Sequence, residues 1–220
     1  LAKLEKDDPE YAKTKLRADQ AEIKQLTIKI LINRIYGYFG NKVSPMGDPD
    51  ITRSITLTGQ AIIKKSNSIL TELVKERTGL TDEDIRKDPV VIYNDTDSVY
   101  VTIKHLIEHG EIPFTKGKKV SKEVIELTDE LETILNGTIK KWGEHALNSQ
   151  DCRFEFKREA ICSRGVFLQK KRYILHVLDD EGIAVDKFKY TGVEVVRTTM
   201  PKAIKPHVKN IIETMIRTKD

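Results

Sequence analysis

Apolar positions recur at helical spacing in the first third of the chain and again after its middle. Between those stretches they fall in short blocks. Asp8-Pro9 opens a helix, with Asp as N-cap and Pro at the first helical position. Leu16, Ile23, Leu26 and Ile30, with Ile35 and Tyr36 further on, predict one long amphipathic helix over about 9–36, ended by Gly37 and Gly40. A Gly/Pro-containing loop, 41–50, leads to a second long helix. Ile51, Ile55, Ala61, Ile62, Ile69, Leu73 and Val74 mark its face, and Thr78-Gly79 its end. Thr81-Asp82-Glu83-Asp84 reads as the capping box of a short turn. Val90-Val91-Ile92 and Val99-Tyr100-Val101 flank a polar, turn-prone centre, the signature of a β-hairpin. A third helix takes Ser121 as N-cap, with Val120 and Ile125 as a hydrophobic staple and Leu127, Leu131, Ile134, Leu135, Ile139 and Trp142 as its stripe. Two strands follow, about 153–161 and 171–178, the second closed by the turn Asp179-Asp180-Glu181-Gly182. Pro201 opens a last helix with Ala203, Ile204, Val208, Ile211, Ile212 and Met215 inward. Strands do not alternate with helices, so a doubly wound parallel sheet is not expected. The order predicts an α+β fold, an antiparallel sheet backed by helices.

Composition narrows the classes. The 220 residues suffice for one large domain or two small ones. There are 38 basic against 34 acidic residues, a net charge of +4, so local clusters matter more than the total. No run of eighteen apolar residues exists, so no membrane span is expected. The segment Leu1-Ala2-Lys3-Leu4-Glu5-Lys6-Asp7-Asp8 has no apolar stretch of the kind a secretory signal needs. Cys152 and Cys162 lack metal-site spacing and the five histidines are scattered, so zinc is not expected. Two thiols in so long a chain suggest a reducing compartment, hence a cytoplasmic location.

Four clusters carry candidate chemistry. In Tyr93-Asn94-Asp95-Thr96-Asp97-Ser98, two carboxylates two residues apart occupy a hairpin tip. They repel unless a cation sits between them, and a pair of divalent ions is the natural candidate. An ordinary solvated turn is the plain alternative. Lys29, Asn33, Tyr36, Gly37 and Gly40 share one helix face. That face suits a nucleotide, with Lys29 for phosphate, Tyr36 beside base or sugar and Gly37 open to a base pair; equally, it is a solvated helix end. Lys170-Lys171-Arg172-Tyr173 would put Lys171 and Tyr173 on one face of a strand and Lys170 and Arg172 on the other. Basic heads with an aromatic fit a nucleic-acid backbone, and a charged edge strand that blocks aggregation fits as well. Glu159, in Phe156-Lys157-Arg158-Glu159-Ala160, reads as a half-buried strand carboxylate that pairs with a base or supports a metal.

Together and in this order the motifs resemble the family B DNA polymerases. Lys29-Ile30-Leu31-Ile32-Asn33-Arg34-Ile35-Tyr36-Gly37 is similar to that family's fingers-helix motif K-x-x-x-N-S-x-Y-G. Tyr93–Ser98 is similar to its palm motif Y-G-D-T-D-S, Lys170–Tyr173 to its K-K-x-Y motif, and Arg158-Glu159-Ala160 to the R-E-A strand before it. Thr58-Gly59-Gln60 and Thr199-Met200-Pro201-Lys202-Ala203 add a T-even-phage character. Asn94 replaces the usual glycine, a change tolerated if Asn occupies a left-handed turn position. Arg34 replaces the usual serine. The family's other catalytic carboxylate, in D-x-x-S-L-Y-P-S, has no counterpart in the sequence, and neither do the exonuclease motifs.

The resemblance implies a fragment in which 1–44 is a fingers portion with a long protruding helix, 45–196 a palm portion and 197–220 the start of a thumb. A split-gene subunit, a truncated product or a partial record would each have this form. It also implies template-directed DNA synthesis with two magnesium ions about 3.5–4 Å apart. Asp95 would contact both ions, with Asp97 more peripheral and Glu159 nearby. Lys29 would meet the deoxynucleoside triphosphate and protonate its leaving group, while Asn33, Tyr36 and Gly37 border the nascent base pair. Thr96, Lys170, Lys171, Arg172 and Tyr173 would hold primer-template DNA. The implied partners are primer-template DNA, deoxynucleoside triphosphates and a complementing polymerase chain carrying the exonuclease domain and the missing Asp. Without that chain the fragment is expected to be inactive. The competing expectation is a non-catalytic nucleic-acid-binding or assembly module that retains the palm fold.

Overall fold

Both long helices form. The structure, a computed structural model, describes residues 9–117, 119–148 and 151–218. The chain divides into two compact units, one ending at Gly59 and one beginning at Gln60.

In the first unit, α1 (Pro9–Gly40) runs 32 residues. The predicted N-cap, Asp8, lies outside the described residues. Gly37 does not stop the helix, which continues to Gly40, because one glycine costs only about 1 kcal/mol in a helix interior. Nor is α1 amphipathic. Ile28, Ile30, Leu31 and Ile32 are all exposed, as are Leu16, Ile23 and Leu26. The run from Ile28 to Ile32 places apolar groups all round the helix and overrides the spaced stripe. Asp48 then starts α2 (Pro49–Thr78): its Oδ1 accepts from Asp50 N–H at 2.9 Å, with Pro49 at the first helical position.

In the second unit, the buried face of α2 is Ile62, Ser66, Leu70 and Val74, a clean i, i+4 row. Ile69 and Leu73 flank that row, whereas Ile51 and Ile55 are exposed rather than inward. The capping box forms ahead of α3 (Asp82–Lys87), with Thr81 Oγ1 accepting from Asp84 N–H and Asp84 Oδ2 from Thr81 N–H. β1 (Val91–Asp95) and β2 (Ser98–Val101) pair antiparallel as the predicted hairpin. α4 (Lys104–His109) and the short hairpin of β3 (Thr115–Lys116) and β4 (Lys119–Val120) follow. α5 (Lys122–Ala146) starts as read from sequence: Ser121 Oγ accepts from Val124 N–H, and Val120 packs with Ile125.

β5 (Ala160–Gln169), β6 (Arg172–Asp180) and β7 (Ile183–Thr191) form an antiparallel sheet with β6 in the middle. The predicted strand over 153–161 is therefore displaced. Residues 152–159 form no strand, and the side chain of Asn136 holds them. Its amide donates to Phe156 C=O and accepts from Phe156 N–H, both at 2.7 Å. β7 had no prediction. A 3-10 turn, Glu194–Val196, precedes α6 (Lys205–Thr218), which begins four residues after Pro201. Ile216 is the buried residue of α6, with Val208 and Ile212 packed beside the same cluster. Ile204, Ile211 and Met215 are exposed, contrary to expectation. The fold class is α+β with antiparallel pairing throughout, although the strands form three separate sheets rather than one.

The cores explain what positions the hairpin. Ile62 and Leu70 of α2 meet Leu135 and Ile139 of α5, with Val99 and Val101 of β2 packed against them. Val74, Val90, Leu106 and Leu131 extend that layer. Burying each such side chain contributes roughly 1.5–3 kcal/mol, so the hairpin rests on a rigid two-helix support.

Candidate functional site

The acidic hairpin has a two-residue tip. Asp95 pairs with Ser98, leaving Thr96 and Asp97 as the loop. Thr96 is the left-handed corner (φ +47°), and Asp97 N–H donates to Asp95 C=O across it at 2.5 Å. Asn94 is not the turn residue. It lies within β1 opposite Val99, and its side-chain Oδ1 is buried without a hydrogen-bond partner. A glycine at this position would carry no such group, so the substitution changes the strand and not the turn. The Asp95 side chain is 23% exposed and accepts from Thr96 Oγ1 at 3.2 Å; Asp97 is exposed and accepts from Ser98 Oγ at 3.2 Å.

The basic cluster is also a hairpin tip. Gln169 pairs with Arg172, so Lys170 and Lys171 form the turn between β5 and β6, and Lys171 takes the left-handed conformation (φ +62°). The reading of Lys170–Tyr173 as one strand with alternating faces is corrected accordingly. β6 is central, so the edge-strand alternative fails as well. Lys170 and Lys171 are exposed and Arg172 is half-buried, with Glu194 at 3.6 Å. Tyr173 is only 6% exposed, and its hydroxyl bonds that of Tyr100 at 2.8 Å.

An aromatic cluster joins the two tips. Tyr93, Tyr100, Phe167 and Tyr173 lie with ring centroids 5.4–5.8 Å apart. Such pairs add about 0.5–1.5 kcal/mol each beyond their area. Burial, then the bond to Tyr173, pushes the Tyr100 phenol well above its ordinary ionisation range, and the nearby charges of Glu159 and Asp95 act in the same direction. Lys171 N–H donates to the Tyr93 hydroxyl at 2.8 Å, and Lys171 Nζ stands 3.7 Å from Asp95 Oδ1. Sequence reading named both motifs. The contact between them was beyond it, because it depends on where two hairpins dock.

Glu159 is exposed rather than half-buried and precedes β5 instead of lying within it. The buried pairing of that segment belongs to its neighbour: Arg158 bonds Asp179 at 2.5 Å and Asp129 at 3.0 Å, and its N–H donates to Glu132. In the first unit, Lys29 and Asn33 are exposed on α1, and the Tyr36 hydroxyl bonds Thr56 Oγ1 at 2.9 Å. A Cβ at Gly37 would meet nothing within 4 Å, so that face is open.

The family model for DNA polymerase family B matches residues 4–220. The chain belongs to DNA polymerase family B. It is 29% identical over 221 residues to the DNA-directed DNA polymerase of Escherichia phage RB69 and 28% identical over 215 residues to that of Enterobacteria phage T4, each match covering 91% of this chain and 23% of the relative. Against the DNA polymerase of Pyrococcus glycovorans the identity is 24%, over 96% of this chain and 23% of that protein. The phage-like character read from the motifs is thus upheld, and this family B chain spans about a quarter of its relatives' length.

Family members use divalent metal ions, and the donors here suit one. Among the described residues no three His, Cys, Asp or Glu side chains form a metal-binding group. Magnesium rarely requires one, since it is commonly held by one or two carboxylates with substrate phosphates and waters. Asp95 and Asp97 are hard oxygen donors on a supported, solvent-reached tip, which fits that pattern.

Proposed function

We propose that this chain supplies fingers, palm and first thumb residues (1–44, 45–196 and 197–220) to template-directed DNA synthesis. In this reading it acts together with a complementing polymerase chain that carries the second catalytic carboxylate and the exonuclease domain. The observation that carries the reading is the docking of the acidic tip on the basic tip, with Asp95 and Lys171 3.7 Å apart. A carboxylate for metal beside a cation for phosphate is what a primer terminus requires.

In the reaction the primer 3′-hydroxyl gives up its proton to water, its oxygen bonds to the α-phosphorus of a deoxynucleoside triphosphate, the bond from that phosphorus to the bridging oxygen breaks, and pyrophosphate leaves. Asp95 and Asp97 would hold magnesium, with Glu159 as an outlying carboxylate. When bound, magnesium supplies Lewis-acid polarisation of the phosphoryl oxygens and favours ionisation of the attacking hydroxyl. Lys170 and Lys171 contact primer-template phosphates as exposed cations, with the half-buried Arg172 and Thr96 alongside, and Tyr173 supports their turn from its buried side. Lys29 meets the triphosphate and protonates the departing pyrophosphate, while Asn33, Tyr36 and Gly37 border the new base pair. Template pairing selects the nucleotide.

The test is primer extension with Mg²⁺. We expect no useful synthesis by the 220-residue chain alone and synthesis when a complementing chain bearing the D-x-x-S-L-Y-P-S segment is added. Robust extension by the isolated chain would refute the requirement for a partner.

A further inference from the structure

The Lys171 backbone is held at both of its flanking peptide groups. Its N–H donates to the Tyr93 hydroxyl at 2.8 Å. Its carbonyl lies against Gly192 (φ +61°), where an added Cβ would come within 2.0 Å of the carbonyl oxygen. A lysine at φ +62° is an uncommon conformation that persists only when its surroundings fix it. Here the fixing groups come from β1 and from the end of β7. Tyr93 stands two residues before Asp95 on the same strand, so strand alternation sets the two side chains on the same face.

We infer that Tyr93 is a positioning residue: its hydroxyl locks the left-handed Lys171 turn and so holds the Lys171 ammonium beside Asp95, at the place where a duplex terminus binds. This rests on the polymerase reading above for the identity of the ligand. The ring and the hydroxyl have separable work. The ring fills the cluster with Tyr100, Phe167 and Tyr173, and the hydroxyl alone reaches Lys171. Tyr93→Phe therefore keeps the packing and removes the lock.

The experiment pairs two readouts on Tyr93→Phe, with Tyr100→Phe as the control that removes a different hydroxyl of the same cluster. The first is amide hydrogen exchange at Lys171 in the free 220-residue chain. The second is affinity for a primer-template duplex, measured on the complemented complex across a salt series. We expect Lys171 exchange about tenfold faster in Tyr93→Phe and unchanged in Tyr100→Phe. We expect duplex affinity about fivefold weaker, the scale of one net hydrogen bond, with the salt slope retained because no phosphate contact is deleted. Unchanged exchange at Lys171, or faster exchange with wild-type affinity, overturns the inference. If the wild-type complemented complex binds no duplex while Lys171 exchange responds, the polymerase reading fails and takes the DNA role of the lock with it, leaving a turn that Tyr93 merely stabilises.

Discussion

At the scale of single residues, the motifs were legible as letters but not as conformations. The sequence places Asp95 and Asp97 at a hairpin tip, and they are there. It assigns the left-handed position to Asn94 on propensity, and the structure puts it at Thr96 because Asp95 pairs with Ser98. Likewise Lys171 reads as a strand residue sharing a face with Tyr173, yet it turns the chain. Neither corner carries glycine, so turn chemistry gave no signal for them. The glycine that matters is Gly192, which no motif singled out. Its positive φ and its closeness to Lys171 C=O leave no room for a side chain. Gly192→Ala should cost about 2 kcal/mol or more from backbone strain and the clash. Urea denaturation checks this, and an unchanged midpoint would show that the turn moves freely.

Elements were most legible where termini carry their own chemistry. Ser121 and its Val120–Ile125 staple fixed the start of α5, and Thr81 with Asp84 that of α3. Strand positions were less legible. The segment 152–159 contains strand-like residues but pairs with a side chain, Asn136, rather than with a neighbouring strand. β7 escaped notice because much of it is exposed, so its sequence lacks a clear buried alternation. Besides the apolar cluster of Phe188 and Tyr190 with Val208, Ile212 and Ile216, an ionic pair ties β7 to α6. Arg217 bonds Asp186 through both guanidinium nitrogens, at 3.2 and 2.7 Å, and His176 Nε2 lies 2.8 Å from the same carboxylate. Arg217 first, then His176, holds the Asp186 carboxyl down at about 2 against an ordinary 3.8. A depressed carboxyl contributes stability that is present above its unfolded pKa and lost as pH falls through its folded one. The advantage of wild type over Asp186→Asn should therefore be constant above about pH 4 and shrink between pH 4 and 2. Thermal midpoints across that range test it, and a gap independent of pH would remove the ionic account. Asp186 is half exposed, so solvent screens the pair and the effect is small.

For the molecule as a whole, the order of motifs revealed the family where single motifs had plain alternatives. Docking of the two tips was not legible, because an aromatic cluster of three tyrosines and Phe167, drawn from four separate sequence positions, creates it. Helical spacing misled about α1, whose stripe of Leu16, Ile23, Leu26 and Ile30 predicted one buried side. Those residues are exposed, together with Ile28, Leu31 and Ile32. The second unit is different: α2 and α5 bury their rows against the hairpin and give Asp95 a fixed seat. We propose that this seat serves catalysis. Single-nucleotide incorporation by the complemented complex, wild type against Asp95→Ala, addresses it most directly. The account predicts a loss of more than about a hundredfold in rate with duplex binding retained. Incorporation at the wild-type rate by Asp95→Ala would contradict it and leave a DNA-binding module without chemistry.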